Sequence, residues 1–448
     1  MVRKFLKPQL TGLFLLVLNS TTHAQFSFAP ATNYTVVSGF APGAPCCVVA
    51  ADVNKDGKTD LISANEMNNN LSVLTNNGAG SFGSNATYNT SGSGLSTLIA
   101  ADVNNDGKLD LICAHNSTIS IFTNNTSGGF GFDTTHTGFS YAFSIAAADI
   151  NADGKNDLII ANWQISTLVV LTNNGSGIFG SNATYVVGSN PHSVTAADVN
   201  GDGWPDLISA NEAVDSLTVL TNDGSGGFVL SSTPITGIKP VSVIAADVNG
   251  DGKRDLICAN AGDNSLSVLT NDGSGGFSLA SAPGVGNTPW SVVASDVNGD
   301  GKLDLITANQ LSNTLTVLTN DGGGNFTLAC SPVVDTDPVS VTTADVNGDG
   351  RLDLISANDG NQNGNTLSLV ANTSIFLPLL AINSSSKNII TSWASQWTGW
   401  AGWILQQNTT LNTTNWVEFN GVIGDDGTTK SATNSPAAGN LFFRLAHQ

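Results

Sequence analysis

The chain has 448 residues, of which only 11% are Asp, Glu, Lys or Arg, yet 35 acidic against 15 basic residues leave a net charge of −20. So few Lys and Arg give no electrostatic footprint for nucleic acid or an anionic membrane, and 40% hydrophobic residues without acidic runs argue against disorder. With 48 Gly and abundant Asn, Thr and Ser, the composition suits many turns and short strands.

Residues 1–24 read as an export signal. Arg3, Lys4 and Lys7 form a basic start, residues 10–18 an apolar stretch, and Thr22-His23-Ala24 a small-residue cleavage site. The apolar stretch is too short to span a bilayer, and no later run is long enough. The expectation is a Sec-type secreted or cell-surface protein of bacterial type, without a transmembrane segment. Loss of the three basic residues takes the net charge to −23. The five cysteines (Cys46, Cys47, Cys113, Cys258 and Cys330) are odd in number and irregular in spacing, which is not a disulfide framework.

From residue 26 to about 376 the chain repeats itself. The string D-[VI]-N-x-D-G-x-x-D-L begins at Asp52, Asp102, Asp149, Asp198, Asp247, Asp296 and Asp345, at steps of 47 to 50 residues. Each unit holds four apolar runs of four to six residues, rich in Val, Ile, Leu and Thr and bounded by Gly, Asn or Asp. That is strand spelling. Seven such units predict an all-β, seven-bladed β-propeller over residues 25–376, because one short sheet cannot bury both faces alone. The seventh unit lacks its last run, and residues 26–37 resemble the missing piece. They are expected to supply the outer strand of the last blade and so close the ring.

The acidic string places oxygen donors at positions 1, 3, 5 and 9, with a carbonyl at 7 and a Gly at 6 for the sharp turn. The candidate metal ligands are Asp52, Asn54, Asp56 and Asp60; Asp102, Asn104, Asp106 and Asp110; Asp149, Asn151, Asp153 and Asp157; and Asp198, Asn200, Asp202 and Asp206. They continue with Asp247, Asn249, Asp251 and Asp255; Asp296, Asn298, Asp300 and Asp304; and Asp345, Asn347, Asp349 and Asp353. Three carboxylates in one nine-residue loop repel at about 4 kcal/mol per contact near 4 Å unless a cation offsets them. An all-oxygen set suits Ca²⁺, about seven ions with a structural role. An EF-hand fails, because position 12 is Ser, Cys, Ile or Thr rather than Glu.

These loops, together with the L-T-N-x-G-x-G-x-F segments, resemble FG-GAP/VCBS-type repeats, the calcium-binding blades of bacterial secreted proteins and of the integrin α-chain propeller. The resemblance covers about 350 residues, and all seven copies keep the four side-chain donors. It implies a seven-bladed propeller with an adhesion or ligand-binding role toward an extracellular glycan or protein. The alternative is a carbohydrate-active enzyme, such as a polysaccharide lyase, built on the propeller. No G-x-S-x-G, H-E-x-x-H or clustered His is present, and no catalytic residue is assigned. A monomer is expected.

From residue 377 the composition shifts. Trp393, Trp397, Trp400, Trp403 and Trp416 fall within 24 residues, among four or more strand-like runs. Residues 377–448 resemble a small fibronectin-III-like or other β-sandwich module. Within the propeller, the acidic loops and Gly-rich turns share one face and hardly vary, whereas the opposite face carries connections that do. Six positions before each first Asp lie Cys46, Ser96, Phe143, His192, Val241, Trp290 and Val339. Fourteen positions after it lie Glu66, Asn116, Trp163, Glu212, Ala261, Gln310 and Asp359. Phe143, Trp163, His192 and Trp290 are the candidate ligand contacts.

Overall fold

Each blade is one up-and-down antiparallel sheet of four strands, seen here in a computed structural model that describes residues 26–36, 44–125, 129–361 and 364–374, with the backbone of short tail strands between 381 and 447. The expected signal peptide, the link 37–43, and Trp397, Trp400 and Trp416 lie outside the described residues. The chain divides into two units, Ser27–Thr373 and a second made of Met1–Phe26 with Ser374–Gln448.

The first unit is a seven-bladed β-propeller. Blade 5 is representative: Pro240–Ala246 innermost, then Asp255–Asn260, Ser265–Asn271 and Phe277–Ser281 outermost. Ala246 faces Asp255 across the acidic loop, and Leu256 faces Leu269 across the next hairpin. Blades 1 to 6 each use four consecutive strands. In blade 7 the innermost strands Pro338–Ala344, Asp353–Asn358 and Thr366–Val370 are completed by Thr32–Thr35, paired antiparallel as Thr32 with Leu369 through Thr35 with Thr366.

The second strand of each blade is the most buried, with Asp206–Asn211 and its counterparts Asp255–Asn260 and Asp304–Asn309 shielded along their whole length. Its two faces pack on the sheets before and after it. One cluster joins Ile159, Leu168 and Val170 of blade 3 to Val194, Leu207, Leu220 and Phe228 of blade 4. Phe228 follows a Gly-rich turn and inserts its ring toward the preceding blade, as Phe179 does toward Val103. A single sheet could not cover such strands, so the ring of stacked sheets is the solution that buries them.

Polar links run round the ring as well. Ser144 accepts the Val194 N–H at 3.2 Å, Ser193 that of Val243 at 3.2 Å, and Ser340 that of Val48 at 3.3 Å, each joining innermost strands of neighbouring blades. The fold contains one short 3-10 turn, Gln310–Ser312, among the described residues. In the second unit, Ala381–Ser385, Asn388–Ala394, Thr429–Asn434 and Ile423–Asp425 pair in that order as one sheet. Val417–Glu418, Trp403–Asn408 and Phe442–His447 form another.

Candidate functional site

The acidic loops all connect the first and second strands, so they share one end of the propeller. In blade 5 the Asp247 carboxylate accepts the N–H groups of Gly250 at 2.7 Å and Gly252 at 2.8 Å. Asn249 accepts that of Asp251 at 2.9 Å, and Asp251 that of Lys253 at 3.0 Å. Backbone donors thus hold the side chains of positions 1, 3 and 5 in place around the turn. Gly252 has φ 83°, a conformation that a side chain would strain, and the equivalent glycines share it.

Position 9 does two things that the spacing alone did not reveal. The Asp255 carboxylate accepts the Val248 N–H at 3.2 Å and the Asn271 N–H at 2.9 Å, tying the loop to the third strand. Burial pushes this carboxyl up, the two N–H donors hold it down, and the loop's Asp251 and Asp247 raise it again. The same pattern recurs in every blade, reaching about 6 at Asp304 and Asp353. Three like charges with one desolvated, on an all-oxygen donor set, fit a hard cation. Among the described residues no three acidic, His or Cys side chains are drawn together tightly enough to hold a metal as the loops stand. Lysines at position 7 pair instead with Asp at position 5, as in Lys108–Asp106 at 2.7 Å.

A further residue links these loops. The Asn271 side-chain N–H₂ donates to the Arg254 carbonyl at 2.8 Å and to the Val199 carbonyl of the preceding blade at 2.7 Å. Val199 is position 2 of that blade's acidic loop. Equivalent bonds of 2.7 to 2.8 Å join Asn76 to Val346, Asn124 to Val53, Asn173 to Val103, Asn222 to Ile150, Asn320 to Val248 and Asn372 to Val297. All seven blade junctions are closed this way. The Asn constant in all seven units, within L-T-N in five of them, was the signal in the sequence.

At the opposite end, the ring six positions before each acidic loop is built on β-bulges in six of the seven blades. The register of the innermost strand slips between Pro191 and Ser193, Ala142 and Ser144, and Pro289 and Ser291, leaving His192, Phe143 and Trp290 as the extra residues. A bulge re-aims a side chain. The three rings meet: Phe143 and His192 lie 4.1 Å apart, and His192 meets Trp290 edge-on at 5.2 Å, although Trp290 is two blades away. His192 is 7% exposed. Its Nδ1–H donates to the Val241 carbonyl at 2.7 Å, and burial pushes the imidazole down to about 4 against the pull of Glu212. Cys46, on the blade 1 bulge, donates to the Leu95 carbonyl at 3.3 Å, and burial raises its thiol well above the usual range.

Trp163, the fourth candidate, has other partners. It stands 6.0 Å from Tyr141 with the rings inclined by 53°, and its indole N–H donates to Glu212 at 3.0 Å. Lys239 approaches the other oxygen of Glu212 at 3.9 Å. Tyr141 and Lys239 occupy the same place in blades 3 and 5, eight positions before the acidic loop. There the backbone is left-handed, φ 56° in both. Their carbonyls accept the N–H of Trp163 and of Ala261, each at 2.9 Å, which fixes the connection. Neither residue was among the candidates; the signal was another variable ring position. This end carries Glu66, Glu212, Asp215, Asp263, Asp335, Asp337 and Asp359 against Lys239 as the one basic side chain among the described residues.

The family model described as FG-GAP-like repeat matches residues 52–113, 102–160, 149–209, 198–258, 247–307 and 296–356. No curated protein matches the chain. Among solved structures, BBS1N in a complex with ARL6DN soaked with mercury is similar at a TM-score of 0.56 and 13% identity, over 77% of this chain and 96% of that one. A protein from Lactobacillus plantarum is similar at 0.53 and 14%, over 66% and 86%. A putative 6-phosphogluconolactonase from Bacteroides uniformis is similar at 0.53 and 18%, over 67% and 89%. These three likenesses are of fold alone. No helix among the described residues is long and apolar enough to cross a membrane.

Proposed function

The chain belongs to the FG-GAP-like repeat family, and from that premise we propose that it is an exported binding or adhesion protein whose ligand, an extracellular glycan or protein, meets the propeller at the end opposite the acidic loops. The observation that carries this reading is the contrast between the two ends. The acidic loops and their Asn links repeat in all seven blades, as a structural device should. The rings at the other end differ from blade to blade and include Phe143, His192 and Trp290 turned inward by bulges. Aromatic groups at such a mouth supply large, rigid contact area.

In this reading the loop residues hold calcium. Asp52, Asn54, Asp56 and Asp60, and their counterparts in the other six blades, would supply the oxygens, and the ion would neutralise the like charges that crowd each turn. The residues of the chain itself orient these oxygens, and the Asn links tie each loop to the next blade. Residues 1–24, read as an export signal, would take the protein to an environment where calcium is plentiful.

The test starts from the full mature protein, screened on a glycan array and against extracellular matrix proteins. Trp163→Ala and Trp290→Ala should each weaken any ligand found, with the calcium dependence of the melting temperature unchanged. If only tail variants such as Trp400→Ala weaken it, the propeller end is not the site.

A further inference from the structure

One corner of the variable end is built differently from the rest. Tyr141, 44% exposed, and the half-buried Trp163 stand as two inclined walls with ring centres 6.0 Å apart. The indole N–H of Trp163 is committed to one oxygen of Glu212 at 3.0 Å, which fixes the tilt of the ring and the position of the carboxylate. The other Glu212 oxygen has only a loose partner. Lys239 lies 3.9 Å away on a side chain that is 60% exposed. A pair so open to water adds little stability.

We propose that the corner formed by Tyr141, Trp163 and Glu212 binds an organic cation, an alkylammonium group carried by a small molecule. This rests on the reading that the variable end is the binding end, and it names the ligand chemistry there. Aromatic faces attract a cation within about 6 Å of the ring centre, most strongly from Trp. Two aromatic rings with centres 6.0 Å apart and inclined by 53° lie within reach of one such group, and Glu212 supplies the counter-charge at the edge of the indole. The surrounding surface adds to the attraction, with seven carboxylates on this end against a single lysine among the described residues. An anionic ligand would meet repulsion from the same field.

Lys239 then acts as a tethered stand-in. Its ammonium takes the free oxygen of Glu212 in the unliganded protein and must swing away when a ligand cation enters. The reach of its exposed stem permits that without moving the backbone, which stays pinned by the Lys239 carbonyl on the Ala261 N–H. Removing the lysine charge should therefore tighten binding, an effect that a merely structural role for this residue would not produce.

The experiment is calorimetric titration of the full mature chain with choline and with its neutral isostere 3,3-dimethylbutan-1-ol. Choline should bind saturably and more weakly as salt rises, and the isostere should not. Trp163→Ala and Glu212→Gln should each weaken choline about tenfold, the order expected for loss of a cation–π wall or its counter-charge. Lys239→Gln should tighten it severalfold. Unchanged melting curves show that the variants are folded. The proposal is overturned if the isostere binds as well as choline, if the Trp163 and Glu212 variants bind choline like the wild type, if Lys239→Gln fails to tighten it, or if neither the wild type nor Lys239→Gln binds choline at all. Such results leave the wider reading of the binding end standing, since that falls only when a bound glycan or protein survives substitution of both Trp163 and Trp290.

Discussion

Asn222 shows how much one side chain does in this ring. Its amide donates to the carbonyls of Ile150 and Pro205 at 2.8 and 3.0 Å and accepts the Gly224 N–H at 3.0 Å, all at 5% exposure. Asn222→Ala leaves buried carbonyls without their donor, a loss of about 2–4 kcal/mol. Urea denaturation should show it; a change below about 0.5 kcal/mol, typical of a surface position, would remove the Asn link from the account. His192 gives a pH signature. Its imidazole titrates near 4 in the fold against an ordinary value of 6.5, so between those values the unfolded chain binds the extra proton. The stability from a neutral His192 is therefore complete above about pH 6.5 and is lost as pH falls toward 4, by up to about 3 kcal/mol. The groups facing it are Glu212, which favours the proton, the Val241 carbonyl, and the rings of Phe143 and Trp290. Melting temperatures of wild type and His192→Gln, measured from pH 7 to 4.5, should diverge in slope, and parallel curves would count against the buried neutral ring.

The terminal strand is the element on which closure depends. Thr32–Thr35 completes the sheet of blade 7, while the Ala29 N–H donates to Ala371 and that of Thr373 to Ser27, both within 2.9 Å. Tyr34 then reaches across the seam, edge-on to Phe82 of blade 1 at 5.0 Å, with its hydroxyl on the Gly80 carbonyl at 2.7 Å. The strand therefore holds two blades from opposite ends of the repeat array. Deleting residues 26–36 exposes the edge of Thr366–Val370 and loses these contacts, several kcal/mol in sum. The melting temperature should fall by on the order of 10 °C. If calorimetry finds it within a degree or two of the wild type, the ring closes by blade packing alone. Tyr34→Ala should reproduce a small part of the fall, because it spares the strand pairing.

For the whole molecule the dominant fact is charge. The 21 loop carboxylates lie at one end of the propeller, relieved only in part by neighbours such as Lys108 and Arg351. Extracellular calcium sites bind with constants of about 10⁻⁴ to 10⁻³ M. At ten times such a constant each site adds about 1.4 kcal/mol, roughly 10 kcal/mol over seven. That is the size of a typical folding free energy. EDTA should therefore lower the melting temperature by tens of degrees or unfold the propeller, and calcium in excess should restore it. The same titration followed by calorimetry should approach seven ions per chain; indifference to EDTA would end the calcium proposal.

Local chemistry was enough to read the repeat. Alternating short apolar runs, Gly at the turns and a string recurring every 47 to 50 residues carry the strand count and the seven blades, because each is set by backbone sterics and by burial within one unit. The apolar runs also tell which strands are buried, since only a ring of sheets covers Asp206–Asn211 and its counterparts on both sides. What depends on distant parts of the chain was not legible. A β-bulge at Phe143, His192 and Trp290 leaves no mark in spacing, and it is the bulge that turns these side chains inward. Their meeting across blades 3, 4 and 6 follows from ring curvature, as does the pairing of Trp163 with Glu212 from the next blade. The Asn of L-T-N was visible as a constant, but its partner lies some 70 residues earlier in six of the blades, and only closure of the ring brings the two within 2.8 Å. Sequence determined the unit, because the forces within it are local; the tertiary structure decided the contacts between units, because those require the geometry of the whole ring.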